Sequence, residues 1–424
     1  MKRSKRRKLR IDRILIAVLL LGVITFLLCK LISEIKNNKS VSKNLMVDLV
    51  GSNINVISDI LDKYKFDLNT EYKYDAIIEK DKIISQSIIK DTEINEGDKL
   101  TIVVSLGKID KEKLKNDGIN ELGKVPIMMY HGIKNVKNIE TSYTGGNVDK
   151  DGYTRTVEAF RNDLDFYYKN GYRMIKLSDY IDGNINVEYG YSPIILTFDD
   201  GNDNNIKVTG LDNDGNIIID KNSAVGVLEE YKKKYPDYNV TAIFFVTDAL
   251  FNQPEYNEKI LKWLVNNGYE VGNHTKGHND LRDTTASKTQ EVIGYMYNKL
   301  ESILGDEYTK ILALPFGSPY VKTHTNYQYV ISGEYNGKKY ESLGALRVGW
   351  EPEVSPFNKE FDATFLKRCR AYDNNGVDFD IEMVFRMLDK TRYISDGNVN
   401  TIITSISNKN VIGNGIDKEI VLYE

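Results

Sequence analysis

Two adjacent aspartates end an apolar run in "PIILTFDDGNDN", residues 193–204. Neighbouring carboxylates repel, so a folded chain that keeps such a pair needs a counter-charge for it. The chain has four histidines, His131, His274, His278 and His324, and the first three follow apolar runs of strand type. His274 and His278 stand four apart in "NHTKGH", a spacing that would put both imidazoles on one face of a helical turn. Two imidazoles with one carboxylate suit Zn²⁺ with a position left open, and Co²⁺ or Ni²⁺ would accept the same donors. Asp200 could supply that carboxylate, leaving Asp199 free as a general base that takes a proton from water. The metal would neutralise one aspartate and make its neighbour tolerable. Taken singly, Asp-Asp-Gly also reads as a turn and His-x-x-x-His as a solvated helix face.

Those residues need a scaffold that gathers strand ends. From residue 125 onward, short apolar segments alternate with amphipathic ones. "VPIMMYH", "SPIILTFD", "NVTAIFFV", "YEVGNH" and "KILALPF" read as buried strands. "TVEAFRNDLDFYYKNG", "AVGVLEEYKKKYP", "NEKILKWLVNNG" and "QEVIGYMYNKLESILG" read as helices, and "DNDGNIII" as an inserted hairpin. Repeated strand–helix units predict an α/β domain with a parallel sheet or barrel, whose sites collect at the C-terminal strand ends. Asp199, Asp200, His274, His278, His131 and the "PFGS" segment 315–318 all occupy such ends.

The remaining sequence divides into shorter pieces. Residues 1–13 carry eight Lys/Arg and one Asp, so of the net charge of −4 they hold +7 and the rest holds −11. An acidic body argues against nucleic acid as a partner. Residues 14–32, "ILIAVLLLGVITFLLCKLI", are long enough to span a bilayer, and the basic cluster before them keeps the N-terminus cytoplasmic and the body outside. No small-residue cleavage site of signal-peptide type follows the span. Cys29 lies in that span and Cys369 far from it, so no disulfide framework is expected. Residues 44–107 form a small α/β unit, with a helical stripe at Ile57, Ile60 and Leu61, a strand at "IISQS" and a final alternating strand "LTIVVSLG". Residues 108–124 have linker composition, and residues 125–424 form the main domain.

Two resemblances sharpen this reading. "VDLVG", "IISQS", "EGD" and "VVSLG" make 44–107 similar to a PASTA module, a class associated with peptidoglycan fragments or serving as a spacer. "TFDDG" (197–201), "HTKGH" (274–278) and "LPFG" (314–317) resemble the motifs of polysaccharide deacetylases, the NodB-homology group of carbohydrate esterase family 4. That resemblance implies a distorted (β/α) barrel that removes acetyl groups from N-acetylated sugars. Carried over by position, Asp199 is the base, and Asp200, His274 and His278 hold the metal. Thr275 steadies the metal loop, and the N–H of Phe316 helps bind the oxyanion. Two family features are missing: Ala313 stands where an Arg usually orients the base, and the tail lacks the Leu-x-His that supplies the acid. The circularly permuted branch, similar to biofilm poly-N-acetylglucosamine deacetylases, carries its acid at the domain start, which gives that role to His131. Arg347, Arg368 and Arg370 are candidates to orient Asp199, although surface salt bridges would also account for them. Phe316, Tyr320 and Trp350 could stack on sugar, or the last two could pack in the core. The resulting expectation is a membrane-anchored, extracellular metal-dependent N-deacetylase of N-acetylated cell-wall glycan, preferably peptidoglycan. Its rivals are an exopolysaccharide deacetylase, an O-acetyl esterase and a non-catalytic wall-binding protein.

Overall fold

The apolar runs read as buried strands form one parallel sheet in a computed structural model that describes residues 44–137, 154–372 and 381–424. The basic segment 1–13 and the span expected at 14–32 lie outside those residues. Among the described residues, no helix is long and apolar enough to cross a membrane. The described chain divides into two units, 44–71 with 78–105, and 72–77 with 106–424.

The smaller unit has a helix α1 (Ser58–Tyr64) and a three-stranded sheet of β1 (Asp67–Lys73), β2 (Ile83–Gln86) and β3 (Lys99–Ser105), in the order β1-β3-β2. The alternation in β3 buries Leu100, Ile102 and Val104 on the face that also covers Ile83. Of the expected stripe, Ile57 is buried, while Ile60 and Leu61 are only half-buried.

In the larger unit the sheet strands are β4 (Ile127–Tyr130), β5 (Tyr172–Met174), β6 (Ser192–Phe198), β7 (Ile243–Val246), β8 (Glu270–Asn273), β9 (Ile311–Ala313), β10 (Gly344–Leu346) and β11 (Cys369–Arg370). Their order is β10-β9-β8-β7-β6-β4-β11, with β5 also paired to β6, and every pair is parallel. Helices α2 (Val157–Lys169), α3 (Ala224–Lys234), α4 (Asn257–Asn266) and α5 (Ala286–Leu304) fall where the periodicity predicts them. Thr156, Ser223 and Thr285 cap α2, α3 and α5 by accepting from the N–H groups of Ala159, Gly226 and Lys288. The strands are apolar on both faces because helices cover one side and the sheet's own interior the other.

The sheet curls until one segment bridges its edges. The N–H of Leu366 donates to Ala345 O at 2.8 Å, and the N–H of Arg347 to Leu366 O at 2.9 Å. A few residues on, Cys369 and Arg370 register with Met128 and Met129 of β4. The expected α/β class and barrel-like curl are therefore present, with segment 366–370 joining β10 to β4.

Residues 108–124 are not a bare linker. Asp110 caps a helix at Lys111–Asn116, and Leu114 and Ile119 are buried with Ile403 and Val421 of a C-terminal parallel strand pair. Only one apolar residue marks that short helix, so its charged composition hides it.

Glu121, in the same segment, is fully buried. It accepts from Tyr393 Oη at 2.9 Å and from the N–H groups of Ile403 and Asp396. Asp396 is also buried and accepts from Thr401 Oγ1 at 2.6 Å. Burial, then the facing carboxylate, pushes the Glu121 pKa well above its ordinary value, and burial raises that of Asp396. The unfolded chain loses these protons near about pH 4, whereas the folded chain holds one to higher pH, so unfolding releases a proton and stability falls as pH rises. The thermal midpoint of the purified protein should therefore drop between about pH 5 and about pH 8, and Asp396→Asn should flatten the drop. An unchanged slope in the variant would show that the two carboxyls share no proton.

Candidate active site and metal centre

Strand register brings the separated residues together. Tyr130 pairs with Phe198 across β4 and β6, and their rings stack with centroids 5.3 Å apart. Phe198 in turn stacks on Phe244 of β7 at 4.9 Å. The residues that follow this pair are His131 and Asp199, and His131 Nε2 lies 4.0 Å from Asp199 Oδ2. Two strands further along, the N–H of His274 donates to Val246 O, which seats the His274 segment at the end of β8.

The two aspartates have different surroundings. Asp199 faces the sheet interior. There Arg368 Nη1 and Nη2 donate to its two carboxylate oxygens at 2.7 Å each, a bidentate pair in which both side chains are buried. Arg368 Nη1 also donates to Thr197 Oγ1, and its Nε to Arg347 O. Burial alone would raise the Asp199 carboxyl, but its interactions, the Arg368 guanidinium foremost, more than offset it and hold the pKa well below the usual carboxylate range. Asp200 is turned to the other side by a left-handed backbone, φ +73°, and puts Oδ1 3.3 Å from His274 Nε2 and 3.5 Å from His278 Nε2. Gly201 must follow: it also has positive φ, and a Cβ there would come within 2.1 Å of Leu250 O.

His274 and His278 do not converge on a helical turn as their spacing suggested. Thr275, Gly277 and His278 all have positive φ, so the loop folds back sharply. Asn273 Oδ1 accepts from the N–H of Thr275, and Asp248 Oδ1 from that of Gly277, each at 2.8 Å. Strained backbone held by such contacts is common at functional sites. Thr275 is fully buried within this loop.

The donor set fits a divalent ion. Ligand atoms of Asp200, His274 and His278 all lie within 4.8 Å of one another. His274 Nδ1 lies 2.8 Å from Ala313 O, which makes it the protonated nitrogen and leaves Nε2 as the acceptor. That Nε2 is buried without a hydrogen-bond partner, although a buried acceptor ordinarily has one. An ion shared with Asp200 and His278 would satisfy it.

Phe316 also has positive φ, and its half-exposed ring packs on His278 with centroids 4.6 Å apart. Tyr320 and Trp350 are about half exposed on the loops after β9 and β10, so they are not core residues. His324 lies in a loop, where its Nδ1 accepts from the N–H of Asn326. Burial lowers the pKa of His131 more than the Asp199 and Asp200 carboxylates raise it. Its proton is held loosely.

Residues 187–330 match the family model described as polysaccharide deacetylase. The chain carries a polysaccharide deacetylase domain. Residues 45–106 match the PASTA domain model, and no curated protein matches the chain. Among solved structures, the chain is similar to the Streptococcus pyogenes deacetylase PplD, solved in complex with acetate, at 16% identity over 62% of this chain and 98% of that one, TM-score 0.43. A de-N-acetylase from Aggregatibacter actinomycetemcomitans is 12% identical over 62% and 99%, TM-score 0.40. A family 4 carbohydrate esterase from Bacillus anthracis is 18% identical over 54% and 84%, TM-score 0.25. The part of the deacetylase domain matched by the family model contains Asp199, Asp200, His274, His278 and Phe316. His131 and Arg368 lie outside it and reach the site through β4 and the closing segment.

Sequence reasoning left Arg368 as one of three candidates and favoured surface salt bridges. The structure buries it against Asp199 instead. "LKRCRAY" has no periodicity that separates Arg368 from its neighbours, and only the register of β11 shows which one enters the barrel. Arg368→Lys keeps the charge but loses the two parallel bonds, so deacetylation should slow by roughly 100-fold with metal content unchanged. His274→Ala should instead lose the metal, as measured by elemental analysis. Full activity in Arg368→Lys would contradict the positioning role.

Proposed function

We propose that this protein is a membrane-anchored, extracellular, metal-dependent N-deacetylase acting on an N-acetylated cell-wall glycan. One observation carries the reading: a buried Asp199, clamped by Arg368, lies 4.0 Å from His131 and immediately before Asp200 of a three-residue metal donor set. Asp200, His274 and His278 would hold the ion, which when bound polarises water and the acetamide carbonyl as a Lewis acid. Asp199 takes the proton from the attacking water. Arg368 fixes the direction of the carboxylate and keeps it ionised through most of the working pH range. The N–H of Phe316 donates to the developing oxyanion. His131 protonates the departing amine, and acetate and a free amino sugar result. The half-exposed rings of Phe316, Tyr320 and Trp350 offer faces to the C–H surface of a pyranose.

The missing motif arginine was the feature that favoured a non-catalytic wall-binding protein. The two bonds that Arg368 donates to Asp199, from the segment just before β11, support the catalytic reading instead. The PASTA domain favours peptidoglycan as the substrate, with poly-N-acetylglucosamine as the rival. The apolar segment 14–32 behind a basic cluster supports the anchor and its orientation.

Incubated with digested peptidoglycan and with poly-N-acetylglucosamine oligomers in the presence of Zn²⁺, the protein should release acetate from one of them, with loss of the acetyl mass. Asp199→Asn should slow that release by about 10²- to 10⁴-fold, and a chelator should stop it. Undiminished release by Asp199→Asn would contradict the assignment of the base.

A further inference from the structure

The loop that follows the paired aspartates does more than close a turn. "NDNN", residues 202–205, lies against the backbone that leaves His131. Asn205 Nδ2 donates to His131 O at 2.6 Å, and Asn204 Oδ1 accepts from the N–H of Ile133 at 2.8 Å. Two side-chain amides thus take up the polar groups of the peptide segment that leaves His131.

The amides are themselves held. Asn205 is fully buried, and its Oδ1 accepts from the N–H of Asn202 at 2.9 Å. With one end of the amide accepting and the other donating, reversing it would lose both bonds. The carbonyls of Asn204 and Asn205 accept from the N–H groups of Ala224 and Val225 in the first turn of α3. Asn202 Nδ2 reaches Asp199 O at 3.5 Å. A continuous hydrogen-bonded frame therefore runs from α3 through Asn205 and Asn204 to His131, and back to the residue that carries the base.

We infer that Asn204 and Asn205 are positioning residues for His131 as the general acid. The inference rests on the proposed role of His131. Neither amide has a place among the base, the metal donors or the oxyanion donor. They act by setting the distance between His131 and Asp199, since a displacement of about 1 Å at such a group can cost about 100-fold in rate. The chemistry gives a selective readout. An amine leaves only when protonated, whereas a nitrophenolate leaves without a proton. A fault confined to the acid should therefore slow amide cleavage and spare an aryl ester.

The test uses the full-length protein in detergent, loaded with Zn²⁺, on N-acetylglucosamine oligomers and on 4-nitrophenyl acetate. His131→Ala sets the reference, with amide turnover down by about 100-fold or more and ester turnover nearly unchanged. Asn205→Asp removes the donor and sets a carboxylate oxygen against His131 O, so it should reproduce that selective loss at about 10-fold or more, with metal content retained. Asn204→Ala should do the same, while Asn204→Asp, which keeps the Oδ1 acceptor, should restore amide turnover. Equal loss on both substrates in Asn205→Asp and Asn204→Ala, or undiminished amide turnover in them, overturns the inference even when His131→Ala behaves as described. If His131→Ala itself slows both substrates equally, the acid role of His131 falls, and the positioning inference falls with it.

Discussion

The ion pair between Arg368 and Asp199 is the constraint on which the rest of the site depends. A fully buried guanidinium without its carboxylate would cost several kcal/mol, and a buried carboxylate without the guanidinium would take up a proton. Each charge is tolerable only because the other meets it at two hydrogen bonds. The pair also divides the labour of two adjacent aspartates. With Asp199 held inward, the left-handed turn at Asp200 sends the next carboxylate to the opposite side, toward the two imidazoles. Like charges one residue apart are separated in direction, and each receives its own counter-charge.

That arrangement ties catalysis to closure of the sheet. Arg368 stands in a segment that bonds to β10 on one side and to β4 on the other. β4 runs straight into His131, and the segment holding Arg368 pairs with β4 through Cys369 and Arg370, so His131 and Arg368 approach Asp199 from adjacent parts of the curled sheet. The stack of Tyr130, Phe198 and Phe244 fixes the heights of these strands relative to one another. A slip of one residue in that register would turn His131 or Asp199 to the wrong face.

Much of this was legible in the sequence because strand ends carry chemistry in parallel α/β domains. Apolar runs broken by Asp-Asp, Asn-His and Pro-Phe marked the face of the site, and rare histidines marked its contents. Three things were not legible. The loop between His274 and His278 reads as a helical turn by spacing, yet Thr275, Gly277 and His278 have positive φ in a loop held by a local bond to Asn273 and a distant one to Asp248. Arg368 is one of three cations within four residues of "KRCR", and which of them points inward is decided by pairing with β4. Residues 108–124 look like a tether by composition, but Glu121 and Ile119 are buried by a C-terminal strand pair some 280 residues away, a contact no local pattern encodes.

The most direct test of the divided roles of the two aspartates is anomalous X-ray diffraction from crystals of the protein grown with Zn²⁺. This account predicts a single anomalous peak bounded by Asp200, His274 and His278, with Asp199 still in its bidentate pair with Arg368. A peak ligated by Asp199, with its carboxylate rotated away from Arg368, would contradict it.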